Sequence, residues 1–459
     1  MKTFVAIKSA LFAALVCLGP APLLAGDEVA AVPRYQLKPG QQLDYFSTSD
    51  FRYGKGDYAG AITTKTHYRV WVVSKNEDGS WRLVIQSTTT QTIGKDQTLG
   101  QPAVGPLGCI ELHADGRLVR NESLGNQLQP DMLFPLLPKD APSATKGWQD
   151  RNERDDVLAR HTMVNDGKAG AGLCTFDTVY TGPLDEIYRS SNRSKFFFDW
   201  KRGLIQRVES ESTQGYGLGG KGTGTIELKE VEEKDPAWLK QFAEETARYF
   251  AANKAYADLN TRAEKVKDPK ALLDEAEAVL KKIEGKLTLP LLRDQVGHQL
   301  KNHAETVRWV SEEAKRRAAV LGQPSADWKT TDLNGKSHGL ADYRGKVVIL
   351  DFWYRGCPWC IRAMPQISRL AEDFKDQPVA LLGMNTDREE KDARYVVEKM
   401  KLTYPVLKAE GLPEKYMVQG FPMLIIIDQR GIIHEMHAGY SPDLRADVAK
   451  TVRELLKAK

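Results

Sequence analysis

Val347–Pro365 reads VVILDFWYRGCPWCIRAMP, and this stretch decides the fold of the C-terminal third. Val347–Leu350 is an apolar, β-branched run, the pattern of a strand buried on both faces. Asp351, Phe352 and Trp353 continue it, Tyr354-Arg355-Gly356 breaks it, and Cys357-Pro358-Trp359-Cys360 opens a segment of helical composition. A strand feeding a C-x-x-C at a helix N-terminus suits redox chemistry. A thiol there lies at the positive end of the helix dipole, beside unpaired N–H groups that favour thiolate over thiol. Two cysteines three positions apart also close a small disulfide with little backbone movement. Cys357 is therefore expected to be the exposed nucleophile and Cys360 the buried resolving thiol. Asp351, six residues before Cys357, is the candidate proton acceptor for the resolving thiol. A carboxylate held in apolar surroundings has a raised pKa and can take that proton through water.

Outward from this stretch, strand and helix patterns alternate. Val379–Met384 reads as a strand, Asp392–Met400 as a helix and Ile425–Asp428 as a strand, followed by a turn at Arg430-Gly431, a further strand and a C-terminal helix. With a boundary at Gln323-Pro324, the alternation predicts an α/β domain over 324–459. Within Gly420-Phe421-Pro422-Met423, a cis proline would set its backbone beside the cysteines and offer N–H and C=O groups to an extended peptide. Pro358, Trp359, Phe421 and Pro422 are the expected partner contacts. A zinc site needs about four ligands, and no second C-x-x-C or suitably spaced Cys/His set supplies them. No metal is expected, and no cofactor beyond the cysteine pair itself.

The motifs of 324–459 as a set resemble the exported thioredoxin-like proteins of the TlpA/ResA type, in the wider redoxin group. They are Leu333-Asn334-Gly335-Lys336, Tyr343-Arg344-Gly345-Lys346, Phe352-Trp353, Cys357-x-x-Cys360, Met364-Pro365, Asn385-Thr386-Asp387, Tyr404-Pro405-Val406, Gly420-Phe421-Pro422 and Ile427-Asp428. The resemblance implies a thioredoxin fold and thiol–disulfide exchange in the cell envelope. This chain also departs from the family pattern. Ala363 stands where an acidic residue is common, Gly356 replaces the usual Trp and should leave Cys357 more open, and Met423 stands where Thr is frequent.

The rest of the chain divides by composition. Residues 1–25 have a basic start at Lys2 and Lys8, an apolar core Ser9–Leu18 and a small-residue site at Ala25, the pattern of a signal peptide. Its alternative is an N-terminal membrane anchor. Residues 26–232 carry short β-branched runs separated by turns at Asn76–Gly79, Asp115-Gly116 and Lys201–Gly203, which predicts an all-β module of unknown role. Residues 235–320 predict a helical connector of three or four amphipathic helices, opened by Asp235-Pro236 and Asp268-Pro269. The fold class is thus multidomain. Cys109 and Cys174 remain as candidates for a structural disulfide, two separately buried thiols being the alternative. Gly215–Lys221 satisfies G-x-G-x-x-G, but Gly222 follows where a hydroxyl residue would bind Mg²⁺, so a hairpin loop is favoured.

A formal charge of +4 over 459 residues, with no long basic block, argues against nucleic acid as a partner. The expected function is an exported, periplasmic thiol–disulfide oxidoreductase acting on protein thiols and disulfides of the envelope, with a membrane redox donor as a further candidate partner. Two alternatives stay open. One is a thiol peroxidase, which needs a Thr three residues before its cysteine, where Tyr354 stands. The other is a ligand-binding envelope protein with a non-catalytic thioredoxin-like domain. The oligomeric state is not legible.

Overall fold

The computed structural model describes residues 32–54, 59–94, 97–123, 130–152, 157–165, 172–215, 219–409 and 411–457. The leader expected over 1–25 lies outside them. Among the described residues the N-terminal part forms one thirteen-stranded sheet. Its main path runs Leu118–Ser123, Gly108–Leu112, Trp81–Ile93, Gly60–Lys75, Gln41–Tyr53, Gly220–Glu233, Leu204–Gln214, Ser191–Asp199, Leu173–Thr181, Val157–Asn165 and Trp148–Asn152. The three hairpins expected from the turn signals form, pairing Val70 with Ile85, Glu111 with Arg120, and Phe196 with Val208. Gly116 is required at its turn, because φ is +86° and a Cβ would lie 2.4 Å from the Pro135 carbonyl oxygen.

Strand alternation gives this sheet two buried faces. Val70, Val72, Leu83, Ile85 and Ile110 join Tyr35, Phe134, Phe176 and Phe198 in one cluster. Their neighbours Trp71, Val73, Val84 and Cys109 face the other way, against Phe242, Tyr249, Leu280 and Leu292. Cys174 belongs to the first cluster and Cys109 to the second. The two sulfurs therefore lie on opposite faces of the sheet, and the Cys109–Cys174 bridge that the cysteine count allows is not formed.

Three helices cover the second face: Pro236–Ala263, Lys270–Glu284 and Pro290–Val320. Asp235 caps the first, its carboxylate accepting from the N–H groups of Ala237 and Trp238. In the second, Pro269 rather than Asp268 is the cap, and the buried stripe is Leu273, Ala276, Leu280 and Ile283. The 31-residue third helix reaches the C-terminal domain, where Val320 enters its core and Arg317 donates to the Met436 carbonyl at 2.9 Å.

The C-terminal sheet runs Val406–Lys408, Val379–Asn385, Val347–Trp353, Met423–Ile427 and Ile433–Ala438. Its first three strands are parallel, and the last two join antiparallel. Val348, Leu350 and Phe352 pack on one side with Trp328 and Tyr416. Ile349 and Trp353 pack on the other with residues of Pro358–Asp373, Glu390–Met400 and Leu444–Lys457. Arg445 clamps two of these helices together through Asp373, at 2.7 and 2.8 Å.

Candidate active site

The strand Val347–Trp353 is buried at all seven positions and delivers the chain to the turn 354–356 at the edge of the domain. Cys357 is the N-cap of Pro358–Asp373, with Pro358 at the first helical position, where its missing N–H costs nothing. Its sulfur accepts from the Cys360 N–H at 3.0 Å and is joined to the Cys360 sulfur in a disulfide, with the Cα atoms 5.3 Å apart. Cys360 lies on the first turn and is buried, as expected. Cys357 is not exposed: it retains 4% of its surface. Gly356 therefore does not open the nucleophile to solvent, and Cys357 shares a buried cluster with Trp353 and with Ile187 and Tyr188 of the N-terminal module.

The rim is aromatic. Trp359 is 44% and Tyr354 36% exposed. Trp359 stacks on Tyr440 at 5.9 Å, and the Arg362 guanidinium lies over both rings. The pairing of Phe352 with Met423 sets Phe421 and Pro422 beside the turn, and the Phe421–Pro422 peptide is cis. Phe421 meets Tyr354 edge-on at 5.2 Å. Pro358, Trp359, Phe421 and Pro422 thus gather at the cysteine end of the sheet. Beyond Pro422 a cavity of about 210 Å³ opens between Arg316 and Arg317 of the long helix and Met417, Gln419 and Gly420.

Asp351 lies on the face that carries Ile349 and Trp353, toward the cysteine helix. It is 1% exposed, and neither carboxyl oxygen has a hydrogen-bond partner among the described residues. Burial pushes its pKa up to about 7. A carboxyl with this value exchanges protons near neutral pH, which is what a base for a resolving thiol requires.

The sequence reading missed what holds the turn. The Arg355 N–H donates to the Asp387 carboxylate at 2.9 and 3.1 Å, and the Arg355 guanidinium binds Asp392 at 2.6 Å and covers the Tyr395 ring. The Arg355 carbonyl accepts from the hydroxyl of Tyr188, a residue of the N-terminal module. Asn385-Thr386-Asp387 was visible as a motif. Nothing local marked Tyr188.

Residues 321–436 match the family model described as AhpC/TSA family. The chain is similar to the Thioredoxin-like protein YneN of Bacillus subtilis (strain 168), 31% identical over 122 residues that make up 26% of this chain and 71% of that protein. It is also similar to the thiol-disulfide oxidoreductase ResA of Geobacillus kaustophilus, 32% identical over 127 residues, 27% of this chain and 73% of the relative. Among solved structures, the thioredoxin domain of a thiol-disulfide oxidoreductase from Bacteroides vulgatus matches at 32% identity, with a TM-score of 0.27, covering 29% of this chain and 98% of that one.

Proposed function

This chain belongs to the AhpC/TSA family of thioredoxin-like proteins and is a thiol–disulfide oxidoreductase, and from that premise we propose that Cys357 and Cys360 exchange disulfides with exported proteins of the cell envelope. The observation that carries the assignment is the bonded cysteine pair on the first turn of a helix, with the unpartnered Asp351 carboxyl on the strand beneath.

In the reducing direction, the Cys357 thiolate attacks one sulfur of a partner disulfide, and the partner's other sulfur leaves as a thiolate. Asp351 accepts the Cys360 proton through water. The Cys360 thiolate then attacks the Cys357 sulfur, and the second partner sulfur leaves and is protonated. Two electrons pass to the partner, and Cys357–Cys360 ends oxidised. In the oxidising direction the same steps run backwards. No further cofactor is needed. The backbone at Phe421-Pro422 and the rings of Trp359 and Tyr354 seat the partner chain.

Export is supported by the leader-like residues 1–25. No helix of the described residues is long and apolar enough to cross a membrane. A membrane donor of electrons fits a reducing role. The test is turnover of insulin and of glutathione disulfide by the full chain. The reading predicts turnover that Cys357→Ser abolishes. Rapid peroxide consumption in its place would point to a peroxidase, and unchanged function in Cys357→Ser to a binding module.

A further inference from the structure

Among the described residues, the N-terminal module joins the buried cluster of the cysteine pair through a short helix, Pro183–Tyr188. Ile187 and Tyr188 are buried in the same cluster as Trp353, Cys357, Cys360 and Ile361, and Leu184 packs against it. The rest of that buried cluster, among the described residues, comes from the C-terminal domain. The Tyr188 hydroxyl donates to the Arg355 carbonyl at 2.5 Å, across 167 residues of sequence. The turn before Cys357 is therefore held from both sides: Asp387 takes the Arg355 N–H and Tyr188 supplies the donor for its C=O.

The helix is built to stay in place. Asp185 folds back to accept from the Gly182 N–H at 2.7 Å, and Arg189 ends the helix in the left-handed region, at φ +53°. The neighbouring hairpin braces its C-terminal end. The Gly215 N–H donates to the Ser190 hydroxyl at 3.2 Å, and a Cβ at Gly215 would fall 1.5 Å from the Tyr188 carbonyl oxygen. Only glycine allows that approach. The glycine-rich stretch that imitated a phosphate loop is thus explained at its first residue by contact with this helix.

We infer that Pro183–Tyr188 is a fixed wall of the exchange site, with Tyr188 as its positioning residue, and that it restricts Cys357 to disulfides presented on extended segments. One side of the pair is closed by the wall. The open side is the rim of Tyr354 and Trp359, both exposed, with the half-buried Phe421 edge-on to Tyr354, where an extended chain can lie across the rings. A disulfide set in a broad folded surface would meet the module before its sulfur met Cys357. This selectivity rests on the reading of Cys357 as the attacking sulfur, and it adds a substrate class to it.

The test measures alkylation of the reduced full chain at Cys357, by iodoacetamide and by a maleimide carried on a large polyethylene glycol, with the modified peptide mapped by mass. Tyr188→Phe removes one hydrogen bond and keeps the ring. Loss of a bond of this kind shifts a docking equilibrium about fivefold. The large reagent is expected to gain about threefold or more in rate, and more again in Ile187→Ala/Tyr188→Phe, while iodoacetamide changes less than about twofold. Parallel changes for both reagents, or no change in a folded Tyr188→Phe chain, would overturn the wall. If the double variant does not fold, Tyr188→Phe decides alone. Alkylation needs only a reduced thiol, so it is read independently of turnover. Loss of disulfide exchange would sink the functional reading and leave this result standing.

Discussion

Asp351 lies directly opposite Gly383 on the neighbouring parallel strand, within the same seven-residue parallel pairing that carries Trp353. A Cβ at Gly383 would stand 3.0 Å from the Trp353 indole nitrogen and 3.1 Å from the Tyr404 ring. The Trp353 indole N–H and the Tyr404 hydroxyl are themselves buried without partners among the described residues. An acidic group is thus enclosed where charge is costly.

Asp351 makes the stability of the C-terminal domain depend on pH. The folded pKa of Asp351 is about 7, raised by burial, against about 3.9 for an unfolded chain. Between these values the folded chain holds a proton that the unfolded chain releases, so stability falls as pH rises through the window and the deficit is constant above it. Asp351→Asn is therefore expected to be more stable than the parent at pH 8, by at most about 4 kcal/mol, with the gain vanishing near pH 4. Urea unfolding at both pH values measures this. The same variant should slow disulfide exchange, since its amide accepts no proton.

Gly383→Val is expected to destabilise the C-terminal domain by about 1–3 kcal/mol, because the added carbons overpack Trp353, Tyr404 and Val406. Thermal unfolding followed by near-UV circular dichroism reads it. A neutral result would mean that the neighbouring rings move aside freely.

Burial pushes the pKa of His161 down to about 4 from its ordinary 6.5. Its Nδ1 contacts the Thr178 hydroxyl at 2.8 Å, and its ring stacks on Trp148. A lowered folded value gives the opposite sign to Asp351: stability is complete above pH 6.5 and is lost as pH falls toward 4. His161→Gln should abolish that part of the acid lability, about 3 kcal/mol in the N-terminal module. Unfolding midpoints at pH 7 and pH 4.5 test it.

Trp359→Ala removes a ring that is 44% exposed and stacks on Tyr440, so it should cost the fold no more than about 1–2 kcal/mol. Reduction of insulin is expected to fall about tenfold, while exchange with glutathione falls less, because an aromatic anchor matters more to a polypeptide. Equal losses for both substrates would remove Trp359 from the partner's seat.

Much of this was legible locally. The buried run before Cys357, the proline after it and the Asp235 cap are patterns of adjacent residues, and the structure forms the elements they predict. Polar strands were harder. Gly220–Glu233 and Gln41–Tyr53 are rich in Ser, Thr, Gly and charged residues, and pairing along their lengths makes them strands without a continuous apolar signal. The three-residue strand Val406–Lys408 is too short to show a period. Cys109 and Cys174 failed as a pair on parity, since one residue of offset along a strand turns a side chain to the other face. The burial of Cys357 was not legible locally, because its buried cluster includes Ile187 and Tyr188, far away in sequence.

Disulfide exchange at the pair is read by equilibrating the chain without residues 1–25 in glutathione buffers of graded poise and counting alkylated thiols by mass. A single two-electron transition of Cys357–Cys360 is expected, and none in Cys357→Ser. A midpoint near about −250 mV or lower would mark a reductant, and one near about −120 mV an oxidant. A pair that exchanges with glutathione at no poise would rule out thiol–disulfide exchange at Cys357 and Cys360.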